Sequence, residues 1–469
     1  MNSQPMSFHR RISHALADGA LRVALDRTTE RFTLKRAAGL ASLPDSDEVR
    51  DRARAIRLHT LSRLDEYLEQ FDAAVTLVGG RVHWAADGQE ANAIVLDLAR
   101  SHSVERIVKS KSMVSEEVHL NHTLLAAGLD VVESDLGEYI IQLAGETPSH
   151  IIAPAVHKTR EQIGQLLADK LGVPVTDDPA EMTATARAAL RDVFLRAEMG
   201  VSGVNFGVAS TGSLAIVTNE GNASLAVTAP RIHVAMMGIE RLVPTLDDLT
   251  VMLQILARSA TGQKLTVYTD LLTGPRRGDL DGPEELHVVL IDNGRSHLVG
   301  TEVGEILACI RCGACLNACP VYQQVGGHAY GSVYSGPIGA VLTPSLDRGG
   351  PWHSLPDASS LCGACREVCP VRIDIPRMLL ALRARAVHSG KTGRWVRIAF
   401  RLYRMAATRP WLFRRTVSVG RWLMELFAVD GWLHRLPPPL SGWTLSREFP
   451  VIAGRTFSER MRDRLEASG

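Results

Sequence analysis

A chain of 469 residues, 45% hydrophobic and 22% charged, is too long for a single small module and has room for two or three domains with at least one sizeable core. Its 52 basic and 51 acidic side chains leave a formal net charge of +1, which excludes a global attraction to nucleic acid and confines any electrostatic partner to a local patch. No run of eighteen apolar residues occurs, so no membrane-spanning helix is expected. The Arg10-Arg11 pair lacks the apolar stretch of an export signal, and the expected location is the cytoplasm.

Residues 1–70 carry apolar positions at helical spacing, as in Ile56, Leu61, Leu64 and Leu68, and read as an N-terminal helical segment. Between 71 and 300, short β-branched runs at 75–78, 106–109, 131–133 and 151–153 alternate with helical stretches at 89–102, 115–127 and 157–171. That alternation predicts βαβ units on a parallel sheet. Residues 200–245 are glycine-punctuated and strand-rich, which predicts an antiparallel hairpin region. A helix at 245–258 and strands near 265–269 and 286–292 complete this α/β domain. Residues 301–390 follow as a helical, cysteine-bearing segment, and 391–469 as a basic, Trp-rich C-terminal region.

All seven cysteines fall in the third segment. Cys309, Cys312, Cys315 and Cys319-Pro320 match the C-x₂-C-x₂-C-x₃-C-P run of bacterial ferredoxins, and Cys362, Cys365 and Cys369-Pro370 keep its last three positions. Two-residue gaps in a tight turn bring three thiolates onto one compact cubane, and small residues such as Gly313, Ala314, Gly363 and Ala364 let backbone N–H groups approach its sulfides. The fourth cysteine of each run serves the other cluster. Cluster one therefore takes Cys309, Cys312, Cys315 and Cys369, and cluster two takes Cys319, Cys362 and Cys365.

Cluster two is one thiol short, and Ser359 stands where the missing cysteine belongs. Three arrangements compete: a 3Fe-4S cluster; a 4Fe-4S cluster whose last iron is held by Ser359, Asp357, water or a partner residue; and an empty degenerate site. Zinc, the other metal of paired C-x₂-C elements, has no use for the Cys-Pro endings or the third cysteine at the same spacing.

Beyond these motifs, the stretches KSKSMVSEE (109–117), DLGEYIIQ (135–142), PSHIIAPAVHKTREQI (148–163), TGSLAIVTNEGN (211–222) and SATGQKLTVYTDLLTGPRR (259–277) closely resemble the lactate-utilisation iron–sulfur protein B family over nearly the whole length. The resemblance implies a LUD domain with a ribose-5-phosphate isomerase/CoA-transferase-like fold, then a ferredoxin-type two-cluster domain and a family-specific tail. It also implies an electron-transfer role beside two sister subunits, one cysteine-rich and one mainly LUD domain, in oxidising L-lactate to pyruvate. The residues themselves favour a relay over a complete enzyme, because Gly200, Gly203 and Gly207 lack the spacing of a dinucleotide-binding turn. A relay for glycolate or another 2-hydroxy acid and a redox- or metabolite-sensing module are the competing functions.

Two weaker signals remain. Lys111, Glu117, Asp135, Glu138, His157, Thr211, Gly212, Ser213 and Glu220 form a candidate ligand cleft in the LUD-like region, although the glycines also suit hairpin turns and the charges suit helix caps. In the tail, Arg394, Arg397, Arg401 and Arg404 share one helix face, and five of the seven Trp lie at or beyond Trp395. Such a helix fits the inner face of a membrane carrying a quinone-linked acceptor, or an acidic partner; it also fits packing on its own protein.

Overall fold

The computed structural model describes residues 7–278, 281–438, 440–444 and 447–467. Contacts divide the chain into two units, Met1–Arg385 and Ala386–Gly469.

The first unit is built on a fully parallel six-stranded sheet with β1 (Arg81–Ala85), β2 (Arg106–Lys109), β3 (Asp130–Glu133), β4 (Met199–Gly203), β7 (Ile232–Gly238) and β10 (Glu285–Ile291), in the order β1-β10-β7-β4-β2-β3. Every residue of β7 is buried, as expected for a central parallel strand covered on both faces. A second sheet, ordered β8-β5-β6-β9, contains β5 (Phe206–Val208), β6 (Ser213–Thr218), β8 (Leu242–Val243) and β9 (Tyr268–Leu272). The expected hairpin is the antiparallel β5–β6 pair, but the flanking parts of 200–245 supply β4 and β7 to the parallel sheet.

Two expected strands are not strands. Residues 75–78 close the Leu64–Leu77 helix, where Leu64, Leu68, Phe71 and Val75 are buried at three- and four-residue steps, so helical packing overrides the β-branched composition. Residues 151–153 form an irregular loop, because the Ile152 and Ala153 amides donate to His150 Nδ1 at 3.0 and 3.1 Å instead of to a neighbouring strand. The strand at Arg81–Ala85 was not among those expected.

The N-terminal helices Gly19–Ala41 and Ser46–Ser62 fasten the α/β layer to the cysteine segment. One apolar core contains Leu25, Ala53 and Leu61 from these helices, Met252 and Ile255 from the Leu246–Ala260 helix, and Leu316, Tyr322 and Met378 from the cysteine segment. The LUD-like layer and the cluster loops thus share a hydrophobic interior.

The second unit holds the helices Arg394–Ala407 and Pro410–Glu425, neither with a buried residue, and a short antiparallel pair, β11 (Trp432–Leu433) and β12 (Phe449–Pro450). Among the described residues no helix is long and apolar enough to cross a membrane.

Candidate iron–sulfur centre and the adjoining cavity

The two cysteine loops repeat one local geometry. Arg311 and Leu361 both take left-handed backbone conformations, as do Gly313 and Gly363, and each glycine precedes a four-residue helix, Ala314–Asn317 or Ala364–Glu367. The Ala314 amide points at Cys312 Sγ and the Ala364 amide at Cys362 Sγ. At the head of the first loop the Arg311 amide donates to Cys309 Sγ at 3.3 Å; at the head of the second, the Leu361 amide donates to Ser359 Oγ at 3.1 Å. Ser359 therefore repeats the hydrogen bond of Cys309.

Cys309, Cys312, Cys315 and Cys369 line one small cavity with Ile151, Ile338 and Ile373. Burial pushes the thiols of Cys312 and Cys365 up to about 12 and that of Cys369 up to about 11, so iron binding there must displace protons. Cys362 is exposed, and the Ala364 amide draws its pKa below the usual thiol value. A thiolate donor set, inward-pointing amides and an apolar wall fit an iron–sulfur cluster.

Arginines fix the loops from outside by their carbonyl oxygens. Arg50 donates to Glu367 O at 2.6 Å and Cys369 O at 2.9 Å, Arg36 to Val368 O at 2.6 Å, and Arg241 to Cys309 O at 3.0 Å. Arg57, fully buried, donates to Ala308 O at 3.3 Å, Leu307 O at 3.0 Å and Leu242 O at 2.5 Å, and also to Glu240 O. These guanidinium groups surround the Cys309 and Cys369 loops with positive charge, which would favour the reduced, more negative form of a cluster held there.

Beside the small cavity lies a larger one of about 400 Å³, which shares Ile151 and Arg311 with it. Of the cleft residues expected from the sequence, Lys111, Asp135 and Glu220 line it. Glu117 lies behind the wall: Arg295 pairs with it at 2.7 Å and Tyr334 donates to it at 2.6 Å. Glu138 stands 4.0 Å from Lys111 Nζ. The others are elsewhere. His157 pairs with Glu146 at 2.7 Å, Thr211 and Gly212 lie in the β5–β6 turn, and Ser213 opens β6. Gly212 is there for close packing, since a Cβ would meet the backbone of Val75 at 2.5 Å.

Sequence reasoning missed Arg241, Arg295, Arg311 and Tyr334, which line the cavity, and Lys109, buried between Glu116 at 2.6 Å and Glu133 at 2.7 Å. It also missed His150, whose Nε2 lies 3.1 Å from Asn317 Oδ1 and whose pKa burial lowers to about 4, so the ring is neutral at pH 7.

A parallel α/β layer fused through a common core to a repeated cysteine loop defines an iron–sulfur protein of the LUD class. A 4Fe-4S dicluster domain model matches residues 305–373, a LUD domain model residues 68–291, and a model for the lactate utilisation protein B C-terminal region residues 385–466. Lactate utilization protein B of Shouchella clausii is 44% identical over 462 residues, covering 98% of this chain and 96% of its own. Its counterpart from Bacillus cereus strain AH820 is 44% identical over 464 residues, covering 99% and 98%. The chain belongs to the lactate utilization protein B family. A solved DUF162 family protein from Deinococcus radiodurans, 13% identical, covers 49% of this chain and 98% of its own with a TM-score of 0.28.

Proposed function

We propose that this chain is the electron-transfer subunit of a complex that oxidises L-lactate to pyruvate, working with a cysteine-rich and a LUD-only sister subunit. The observation that carries the reading is the repeated cysteine loop. In this reading Cys309, Cys312, Cys315 and Cys369 hold one 4Fe-4S cluster, while Cys319, Cys362 and Cys365 hold a second with Ser359 as its fourth donor. Support for the first set comes from its common cavity, and for Ser359 from the hydrogen bond it shares in kind with Cys309. The substrate comes from the names of the relatives. Lactate oxidation removes two electrons and two protons from one carbon, whereas clusters pass single electrons, so the proton chemistry falls to another subunit.

Anaerobic purification with the two sister subunits tests this. We expect about seven to eight irons per chain, as two clusters require, and EPR signals of reduced clusters on adding L-lactate. Stoichiometric zinc without iron would overturn the metal assignment; clusters that glycolate reduces and L-lactate does not would overturn the substrate.

For the second unit, we propose that the Arg394–Ala407 helix lies on an anionic membrane surface. Its four arginines fall on one side, while Trp395 is 83% and Phe400 67% exposed. Co-sedimentation should be strong with vesicles containing phosphatidylglycerol and weak with phosphatidylcholine alone, and the double variant R397E/R401E should lose most of it. Equal sedimentation of variant and native protein would refute the docking.

A further inference from the structure

The cavity beside the cluster-one loop is lined by Lys111, Arg241, Arg295 and Arg311 against Asp135, Glu220 and Glu240, and these charges are unevenly paired. Arg295 is consumed, with Glu117 held by both of its terminal nitrogens and Glu240 by Nε at 2.7 Å. Arg311 is not. One terminal nitrogen reaches Glu240 at 3.3 Å and its guanidinium lies 4.7 Å from the centre of the Tyr334 ring, but Nη1, buried, has no hydrogen-bond partner. The Arg311 side chain is only 10% exposed and lines the cavity. An unsatisfied buried guanidinium edge is costly, so a group that accepts from it is favoured strongly.

Lys111 and Arg241 line the same space. Lys111 donates to Ile152 O at 3.1 Å, and its nearest carboxylate, Glu138, stands 4.0 Å away with its pKa raised by burial to about 8, so it balances the ammonium only weakly at pH 7. Asp135 accepts from the Glu138 amide as a helix cap, and Glu220 is exposed. Around this positive end, Ile152, Ile216, Met236, Met237 and Leu256 form apolar wall. The volume of about 400 Å³ holds roughly a dozen water-sized groups, more than a three-carbon acid fills.

We infer that this cavity binds an organic carboxylate with an apolar body, its carboxylate at the end formed by the Arg311 guanidinium and Lys111 and its body against Ile152, Ile216 and Leu256. Because Arg311 lies between Cys309 and Cys312, occupancy also places negative charge next to cluster one and lowers its reduction potential; this coupling rests on the cluster assignment proposed above.

Calorimetry of the iron-loaded chain with hexanoate, acetate and hexanol tests the site. Hexanoate should bind one per chain, tighter than acetate by roughly fourfold for each methylene buried, and hexanol should bind at least tenfold more weakly than hexanoate. Arg311→Gln should weaken hexanoate about tenfold or more with iron retained; should this variant lose iron, Lys111→Met decides, with a several-fold loss expected. Saturating hexanoate should also shift the cluster-one midpoint downward in an EPR-monitored redox titration.

No saturable hexanoate binding, or native affinity in the deciding variant, would overturn the inference. Binding with an unmoved midpoint would overturn the coupling. A preparation that binds hexanoate yet holds no iron supports the cavity while sinking the cluster reading.

Discussion

Replacing Arg57 with Met is expected to destabilise the first unit by about 3–5 kcal/mol, read as a lower urea midpoint at unchanged slope. Two effects oppose each other. Burial of the guanidinium is expensive and draws its pKa down to about 9, so removing the charge relieves a desolvation cost. Against that, the carbonyl oxygens of Glu240, Leu242, Leu307 and Ala308 would lose their donor in an interior that water does not reach. Each buried acceptor left unpaired costs about 1–3 kcal/mol, and four of them outweigh the relief. Lysine should recover only part, because one ammonium cannot fork to carbonyls on two segments. A loss below about 1 kcal/mol would show that the desolvation cost already cancels the hydrogen bonds.

The second large effect is expected at Ser359. Its Oγ accepts the Leu361 amide as Cys309 Sγ accepts the Arg311 amide, and both loops turn through a left-handed residue at the same place. Ser359→Cys should therefore deliver a thiolate where the second loop lacks one, and thiolate is a much better iron ligand than a neutral hydroxyl. Iron content after mild oxidation should rise toward about eight per chain, and any three-iron EPR signal of the oxidised native protein should vanish. The potential should change as well, downward if the native donor is an uncharged hydroxyl. Ser359→Ala should lower iron retention if the hydroxyl is a ligand. If cysteine, alanine and serine at this position give the same iron content, spectrum and potential, the donor lies elsewhere.

What could be read from the sequence was local. The cysteine motifs announce themselves because most of their thiols stand with two or three residues between them, and the strand at Arg106–Lys109 matched its expected bounds because β-branched residues are concentrated there. At residues 75–78 that same composition misled, since the burial of Val75 is decided by Leu64, Leu68 and Phe71, one to three turns earlier. Residues 151–153 misled for another reason: a single buried histidine takes the amides that a strand would pair.

The cavity was half legible. Lys111, Asp135 and Glu220 stand in stretches rich in polar residues, but Arg241, Arg295 and Tyr334 come from three separate segments that only folding brings together. Arg311 did leave a signal. Aligning the two loops sets it opposite Leu361, and an arginine inside a motif otherwise built of small and apolar residues calls for a partner of opposite charge.

The stretch between Cys319 and Cys362, which breaks the compact spacing of a ferredoxin, also supplies Tyr334, and Tyr334 reaches back to Glu117 in the α/β layer. The boundary between the two modules is thus stitched from both sides, with Arg311 and Tyr334 on one and Glu117 and Glu240 on the other. Neither half is an interchangeable cassette. A chimera joined near residue 300 would bring together edges shaped in different lineages, so the two halves are constrained to diversify in step, substitution by substitution across the seam.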